Sequence, residues 1–356
     1  VEKQIAQQSP NRQRLADWAF QLSQRYVQAR RIVHGLSLEQ PQPTRRQRWQ
    51  AHLQTLALAP THALADRLVY QTIRAGMGGN LKQIINGGGS LSDSLEFFFE
   101  VIGIDVIVGY GLTETSPVLT ARRPWHNLCG SAGRPIPGTE IRIVDLETRQ
   151  TRSPQEKGSV LARGPQIMVG YYKNSEATEK VIDDQGWFDT EDLGWLSPQG
   201  DLILTGRAKN TIVLSNGENV EPEPLEDACI RSDFIDQIVV VGQDQRSLGA
   251  LIVPDLDKLQ GWASKHQVTL PIPDAQSDAQ ALPRTLDSQS VCDLLRKELN
   301  REVKNRPGYS RNDRIGPFRV LTEPFSIENG MMTQTLKVKR HVVTDRYQDL
   351  IDQMFS

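Results

Sequence analysis

Over residues 1–75, apolar positions recur every three or four residues. Leu15, Trp18, Ala19, Leu22, Tyr26, Ala29 and Val33 therefore share one face of a helix. The pattern then shortens. Residues 81–86 read as a strand, Gly87–Ser90 as a glycine loop, 91–102 as a helix and 104–108 as a buried strand. A strand–helix–strand unit implies a parallel sheet with ligands at the carboxyl ends of its strands. From 128 to 205 short β-rich pieces (139–144, 158–162, 201–204) alternate with turn residues, the pattern of a small barrel or sandwich. Residues 211–214, 237–241 and 250–253 read as further strands, with a helix at 225–230. A Pro/Asp/Ser/Gln-rich stretch over 267–288 reads as a surface loop, and Val291, Leu294, Leu295, Leu299 and Val303 mark an amphipathic helix after it.

The expected fold class is α/β plus α+β. A first domain, residues 1–206, is helical over 1–75, a βαβ sheet over 76–127 and a β-barrel over 128–206. A second, α+β domain spans 207–356, joined through the polar segment 206–210.

Charge and cysteine usage narrow the function classes. A net charge of −2 and a pI near 6.4 disfavour a general nucleic-acid binder. Cys129, Cys229 and Cys292 are widely spaced and odd in number, which fits neither a zinc site nor a disulfide framework and suits a reducing, cytoplasmic setting. No apolar run reaches membrane-spanning length. The N-terminal region is rich in arginine, so its apolar stripe fits a packed core or, as peripheral contact, an anionic membrane surface.

Candidate chemistry centres on Gly109-Tyr110-Gly111-Leu112-Thr113-Glu114. The two glycines suggest a sharp turn that lets backbone approach a ligand. An aromatic plane suits a purine, a hydroxyl suits a phosphoryl oxygen, and a carboxylate suits Mg²⁺. Four segments follow in order: Gly170-Tyr171-Tyr172-Lys173-Asn174, Trp187-Phe188-Asp189-Thr190-Glu191-Asp192, Gly206-Arg207-Ala208-Lys209 with Leu214-Ser215-Asn216-Gly217-Glu218-Asn219, and Thr333-Gln334-Thr335-Leu336-Lys337-Val338-Lys339-Arg340.

In this order the segments resemble the adenylate-forming superfamily of acyl-CoA synthetases, peptide-synthetase adenylation domains and luciferases. The last two segments are most similar to its long-chain fatty-acid branch, and the whole chain to the cyanobacterial and plastid type that includes acyl-carrier-protein synthetases. The resemblance implies a fatty acid activated by ATP and Mg²⁺ as an acyl-adenylate, then transferred to CoA or to the phosphopantetheine of an acyl carrier protein. It places Gly88, Gly89, Ser90, Tyr110 and Gly111 around the nucleotide base. Thr113 falls at the α-phosphate, Glu114 at Mg²⁺, and Asp192 and Arg207 at the ribose. Lys337 falls between the substrate carboxylate and the α-phosphate, and Lys339 reads as a surface charge. Lys209 becomes the hinge about which the second domain rotates between half-reactions, and Gly217 lines the thiol tunnel.

Three departures qualify the resemblance, one of them Asn210 in place of the acidic residue common after the hinge. The family's phosphate loop, a Ser/Thr/Gly-rich run ending in lysine, has no counterpart here, so the chain reads as a truncated ligase impaired in ATP-dependent activation. The alternative is a non-catalytic AMP-binding module. Glu191 also stands where the family usually has glycine, and a bulky anion there is expected to crowd the site.

Overall fold

A computed structural model describes residues 10–356 apart from Ser90, Ser92, 271–284, Asp287 and Pro307. The chain divides between Leu204 and Thr205 into two compact units. Most of the stretch read as a Pro/Asp/Ser-rich loop lies outside the described residues.

The first unit opens with helices α1 (Pro10–His34), α2 (Arg45–Ala65) and α3 (Gln71–Gly76), the last two joined by a π-helical turn, Asp66–Tyr70. Thr44 starts α2 with a capping box: its hydroxyl accepts from the Gln47 N–H, and the Gln47 side chain answers the Thr44 N–H. Ala19, Val27, Ala65 and Tyr70 bury against Val101, Ile102 and Ile104, so the helices pack on the βαβ unit behind them. Trp18, expected on the buried face, is 45% exposed.

That unit is β1 (Gln83–Asn86), α4 (Asp93–Val101) and β2 (Asp105–Gly111). β1 and β2 are parallel in the register Asn86↔Val108. β3 (Val118–Ala121) then adds antiparallel to β2, and β4 (Arg134–Pro135) adds antiparallel to β3, so the sheet is mixed rather than wholly parallel. The strand expected to stop at 108 runs on through Tyr110 and Gly111, because these residues pair with β3.

β5 (Glu140–Val144), β6 (Gly158–Arg163), β7 (Phe188–Leu196) and β8 (Leu202–Arg207) form a second sheet in sequential order, with α5 (Ser175–Val181) between β6 and β7. This sheet is open, not the expected barrel. Closure would need β8 to pair with β5, but Leu202 instead exchanges backbone hydrogen bonds with Ala132 and Gly133.

The second unit contains the hairpin β9 (Ile212–Val213) and β10 (Asn219–Val220), helix α6 (Glu223–Cys229), strands β11 (Ile235–Val241) and β12 (Leu248–Pro254), helices α7 (Leu256–His266) and α8 (Gln289–Lys304), strand β13 (Ile315–Val320), and helices α9 (Arg340–Arg346) and α10 (Gln348–Phe355). β11–β12–β13 is a three-stranded sheet with β12 central. Side chains alternate across a strand. Ile238, Val240, Ala250 and Ile252 face α6 and α8, while Val239, Val241, Leu251 and Val253 face α9 and α10. With both faces covered, every residue of β12 is buried. That explains why 250–253 is a continuous apolar run rather than an alternating one.

Candidate functional site

In the first unit, expected nucleotide-site residues meet where the parallel strands end. The Tyr110 hydroxyl donates to Asp192 Oδ2 at 2.6 Å, linking β2 to β7 across 82 residues of sequence. Asp192 is buried, and Tyr110 packs against the Ala132, Ile143, Val160 and Leu202 cluster. Gly87 lies against the Gly109 carbonyl, which brings the glycine loop to the same edge. Gly88 takes φ +77° and Gly89 is exposed beside it. Ser90, expected here, lies outside the described residues.

The glycines around Tyr110 do not form the turn expected of them, since both lie in β2. Gly111 is required by close approach: a Cβ there would overlap the Pro117 carbonyl. The chain turns one step later, in a 3₁₀ turn over Thr113–Thr115 that ends at Ser116 with φ +53°. Thr115 is fully buried, and its hydroxyl bonds to Leu112, so it holds the turn together. Thr113 is exposed at the tip, with Glu114 half-buried beside it.

Glu114 has a partner that sequence reasoning missed. The Tyr171 hydroxyl donates to its Oε1 at 3.1 Å, and the Met168 N–H donates to its backbone carbonyl at 2.8 Å. Partial burial, the bond to Glu114 and the negative charges of Glu114 and Glu191 all push the Tyr171 phenol above its ordinary pKa. The signal was present in the 170–174 segment, but nothing local says which of its two tyrosines turns inward.

Glu191 sits at φ +59°, in the left-handed region that glycine occupies without strain. This supplies a physical reason for glycine at this place: backbone conformation, beside any crowding by the carboxylate. The Glu191 N–H donates to Asp189 Oδ1 at 2.9 Å, and the Asp192 N–H to Thr190 Oγ1 at 3.2 Å, so the bend that aims Asp192 is built from neighbouring side chains.

The second unit holds Arg207, Lys209, Gly217 and Lys337. Arg207 is exposed at the end of β8, and Lys209 lies in the short 3₁₀ turn that follows. Asn210 in that turn donates to Glu223 Oε1 at 2.6 Å. Gly217 is at the tip of the β9–β10 hairpin with φ +82°, and an added Cβ would meet nothing within 4 Å. Within this unit, then, turn geometry is what demands glycine there.

Lys337 stands on an exposed loop closed by Thr333. The Thr333 N–H donates to the Lys337 carbonyl at 2.8 Å, and the Lys337 N–H to Thr333 Oγ1 at 3.0 Å. Leu336 takes φ +58° to make the bend. Behind the loop, Arg340 Nη2 forms a two-pronged pair with Glu226, 2.7 Å to each oxygen, while Arg340 Nη1 donates to the Val240 carbonyl at 2.7 Å. Arg340 thus pins the loop to the central sheet. Burial pushes the Glu226 carboxyl up, and Arg340 opposes that. Lys339, expected as a surface charge, is half-buried where α9 begins.

The chain matches the AMP-binding enzyme family over residues 19–172 and the AMP-binding enzyme C-terminal domain over residues 209–305. It belongs to the adenylate-forming, AMP-binding enzymes. Relatives it is similar to include proteins named as long-chain fatty-acid ligases. It is 40% identical over 377 residues to a probable acyl-activating enzyme 16, chloroplastic, of Arabidopsis thaliana, covering all of this chain and 49% of that protein. It is also 40% identical over 372 residues to a chloroplastic long-chain-fatty-acid–[acyl-carrier-protein] ligase of the same plant, covering all of this chain and 48% of that one. The chain therefore spans about half the length of these relatives. Among solved structures, the A-PCP didomain of a carboxylic acid reductase from Segniliparus rugosus, in complex with AMP, superposes with a TM-score of 0.64 at 25% identity, covering 82% of this chain and 37% of that one.

Proposed function

We propose that this chain carries the adenylate pocket and the acyl-transfer machinery of a long-chain fatty-acid ligase, which activates a fatty acid with ATP and passes the acyl group to a thiol. The observation that carries this reading is the Tyr110–Asp192 contact with Thr113 and Glu114 one turn away. Tyr110 offers a ring for the adenine and Asp192 a buried carboxylate for the ribose hydroxyls, with Arg207 a further ribose donor. Gly88, Gly89 and Gly111 leave backbone accessible beside the base. Thr113 is exposed where a phosphoryl oxygen would arrive.

Mg²⁺ fits this donor set. Among the described residues no group of three or more His, Cys, Asp or Glu could hold a metal. Mg²⁺ typically takes one or two carboxylates, with phosphate oxygens and water completing its shell. Glu114 would supply the carboxylate, oriented by Tyr171. The ion would neutralise phosphate charge when bound. Lys337 brings a compact ammonium to the fatty-acid carboxylate and the α-phosphate, lowering the repulsion between two anions as they combine. Lys209 serves as the hinge, and Gly217 leaves a side-chain-free passage for a pantetheine arm. The Arabidopsis carrier-protein ligase supports a carrier protein as acceptor, with CoA as the other candidate.

The test supplies chemically made palmitoyl-adenylate, without ATP, to the chain with CoA or with acyl carrier protein. Thioester on one thiol is expected and identifies the acceptor. No thioester on either, from a sample that still binds AMP, points to the non-catalytic module instead.

The setting is part of the same proposal. The three cysteines are free, as a reducing cytoplasm would keep them. Among the described residues no helix is long and apolar enough to cross a membrane. Trp49, Leu53 and Leu56 are exposed on one face of α2, next to exposed Arg45, Arg46 and Arg48, an arrangement suited to peripheral contact with anionic lipid. Flotation with anionic but not zwitterionic vesicles is the expected result.

A further inference from the structure

The end of α8 and the loop after it carry five basic residues that the structure sorts into two groups. Arg301 pairs with Glu298 and Glu302, and Arg306 with Asp313. Lys304, Arg311 and Arg314 are exposed and, among the described residues, ion-pair with no carboxylate. Together with Asn300 and Tyr309 these three line an open cleft of about 400 Å³. The cleft is ordered from below. Asp313 accepts from the Ser310 N–H at 2.7 Å as well as from Arg306, closing a capping box that fixes the 3₁₀ turn Arg311–Asp313.

The same turn touches a second feature. Asn312 Nδ2, between Arg311 and Arg314, donates to Glu218 Oε2. Glu218 follows Gly217 at the tip of the β9–β10 hairpin, the position given above to the pantetheine arm. The cationic cleft and the hairpin tip are therefore directly connected.

We infer that this cleft is the docking face for an acidic carrier protein, which presents its pantetheine to the Gly217 turn. The inference rests on the thiol-transfer reading above. Openness favours a protein over the phosphates of CoA. A small phosphorylated ligand is typically held by converging, partly buried donors. Here the cations are solvent-exposed and spread over a helix end, a turn and the start of a strand. Such a surface matches acidic side chains across an interface and steers encounter. Tyr309, 38% exposed, adds an amphipathic ring of the kind enriched at interfaces.

The experiment measures binding of fluorescently labelled holo acyl carrier protein to the full chain by anisotropy, at low and at high salt. Wild type is expected to bind, and more weakly as salt rises. The variant K304E/R311E/R314E should bind on the order of tenfold or more weaker at low salt, because three attractive charges become repulsive. The charge-preserving variant R311K/R314K should bind like wild type, and circular dichroism checks that both variants are folded. Equal affinity for wild type and the charge-reversed chain would overturn the inference. So would failure of wild type to bind, or loss in the charge-preserving variant equal to that in the reversed one. The outcome is separable from the proposed function: transfer from palmitoyl-adenylate to CoA can persist in the charge-reversed variant, whereas a failure of the ligase reading removes transfer to every thiol.

Discussion

The two units treat their functional residues differently. In the first, Tyr110 and Asp192 are joined across two sheets, and Glu114 is held by Tyr171. In the second, Lys337 and Gly217 sit at exposed tips, and the order lies behind them in the Arg340–Glu226 pair and in a sheet covered on both faces. In the proposed reading the first unit recognises a flat base and a ribose, a task that gains from groups fixed in advance. In the same reading Lys337 enters and leaves a site, and an exposed loop on a rigid base suits that role, because withdrawal would break little packing.

The strongest way to break the contrast is to remove the anchor. Arg340→Ala leaves Glu226 without its counter-charge and should cost about 3 kcal/mol or more in urea unfolding. The loss should be smallest at acid pH. Burial raises the folded-state pKa of Glu226, and without Arg340 it rises further, so the folded chain keeps its proton where the unfolded chain has lost it. Stability of the variant is then fully present below the unfolded carboxylate pKa and is lost as pH rises through the folded value. A deficit that does not grow with pH would remove Glu226 as the cause.

Within the first unit, Gly111→Ala drives a methyl group into the Pro117 carbonyl and should destabilise by about 1–3 kcal/mol through forced backbone movement. Unchanged melting would mean that the turn has room the structure does not show. Glu191→Gly should act in the opposite direction, stabilising by about 1 kcal/mol net, because relief of the left-handed backbone outweighs glycine's entropy. The same substitution should bring the Tyr171 phenol back toward its ordinary pKa in an ultraviolet titration, since one of the charges that raise it is gone. Tighter AMP binding by this variant would show that the carboxylate also crowds the pocket.

The smallest effect on stability sharpens the comparison most. Lys337→Ala, at an exposed position, should leave unfolding within about 0.5 kcal/mol of wild type. Asp192→Ala, by contrast, should lower both stability and AMP affinity, because the Tyr110 hydroxyl loses a charge-assisted bond worth about 1.5–3 kcal/mol. If the two variants behaved alike in calorimetry with AMP, the distinction between a prebuilt pocket and a presented lysine would not stand.

The sequence by itself determined the elements with strong periodicity and the family. The helix stripe after Val291, the apolar run of β12 and the strand–glycine–helix–strand unit are local patterns, set by burial on one face or on both. The ordered segments identify the adenylate-forming enzymes because residue type and order survive without knowledge of contacts. Tertiary structure alone decided what depends on distant partners. Gly111 is required by Pro117, which reaches it only when β2 and β3 pair. The expected barrel stays an open sheet because Ala132 and Gly133 bond to β8. Tyr171 reaches Glu114 across 57 residues, and Arg340 reaches Glu226 across 114. No periodicity encodes such pairs, because hydrogen bonds and ion pairs are chosen by three-dimensional proximity and by the cost of burying a polar group without one.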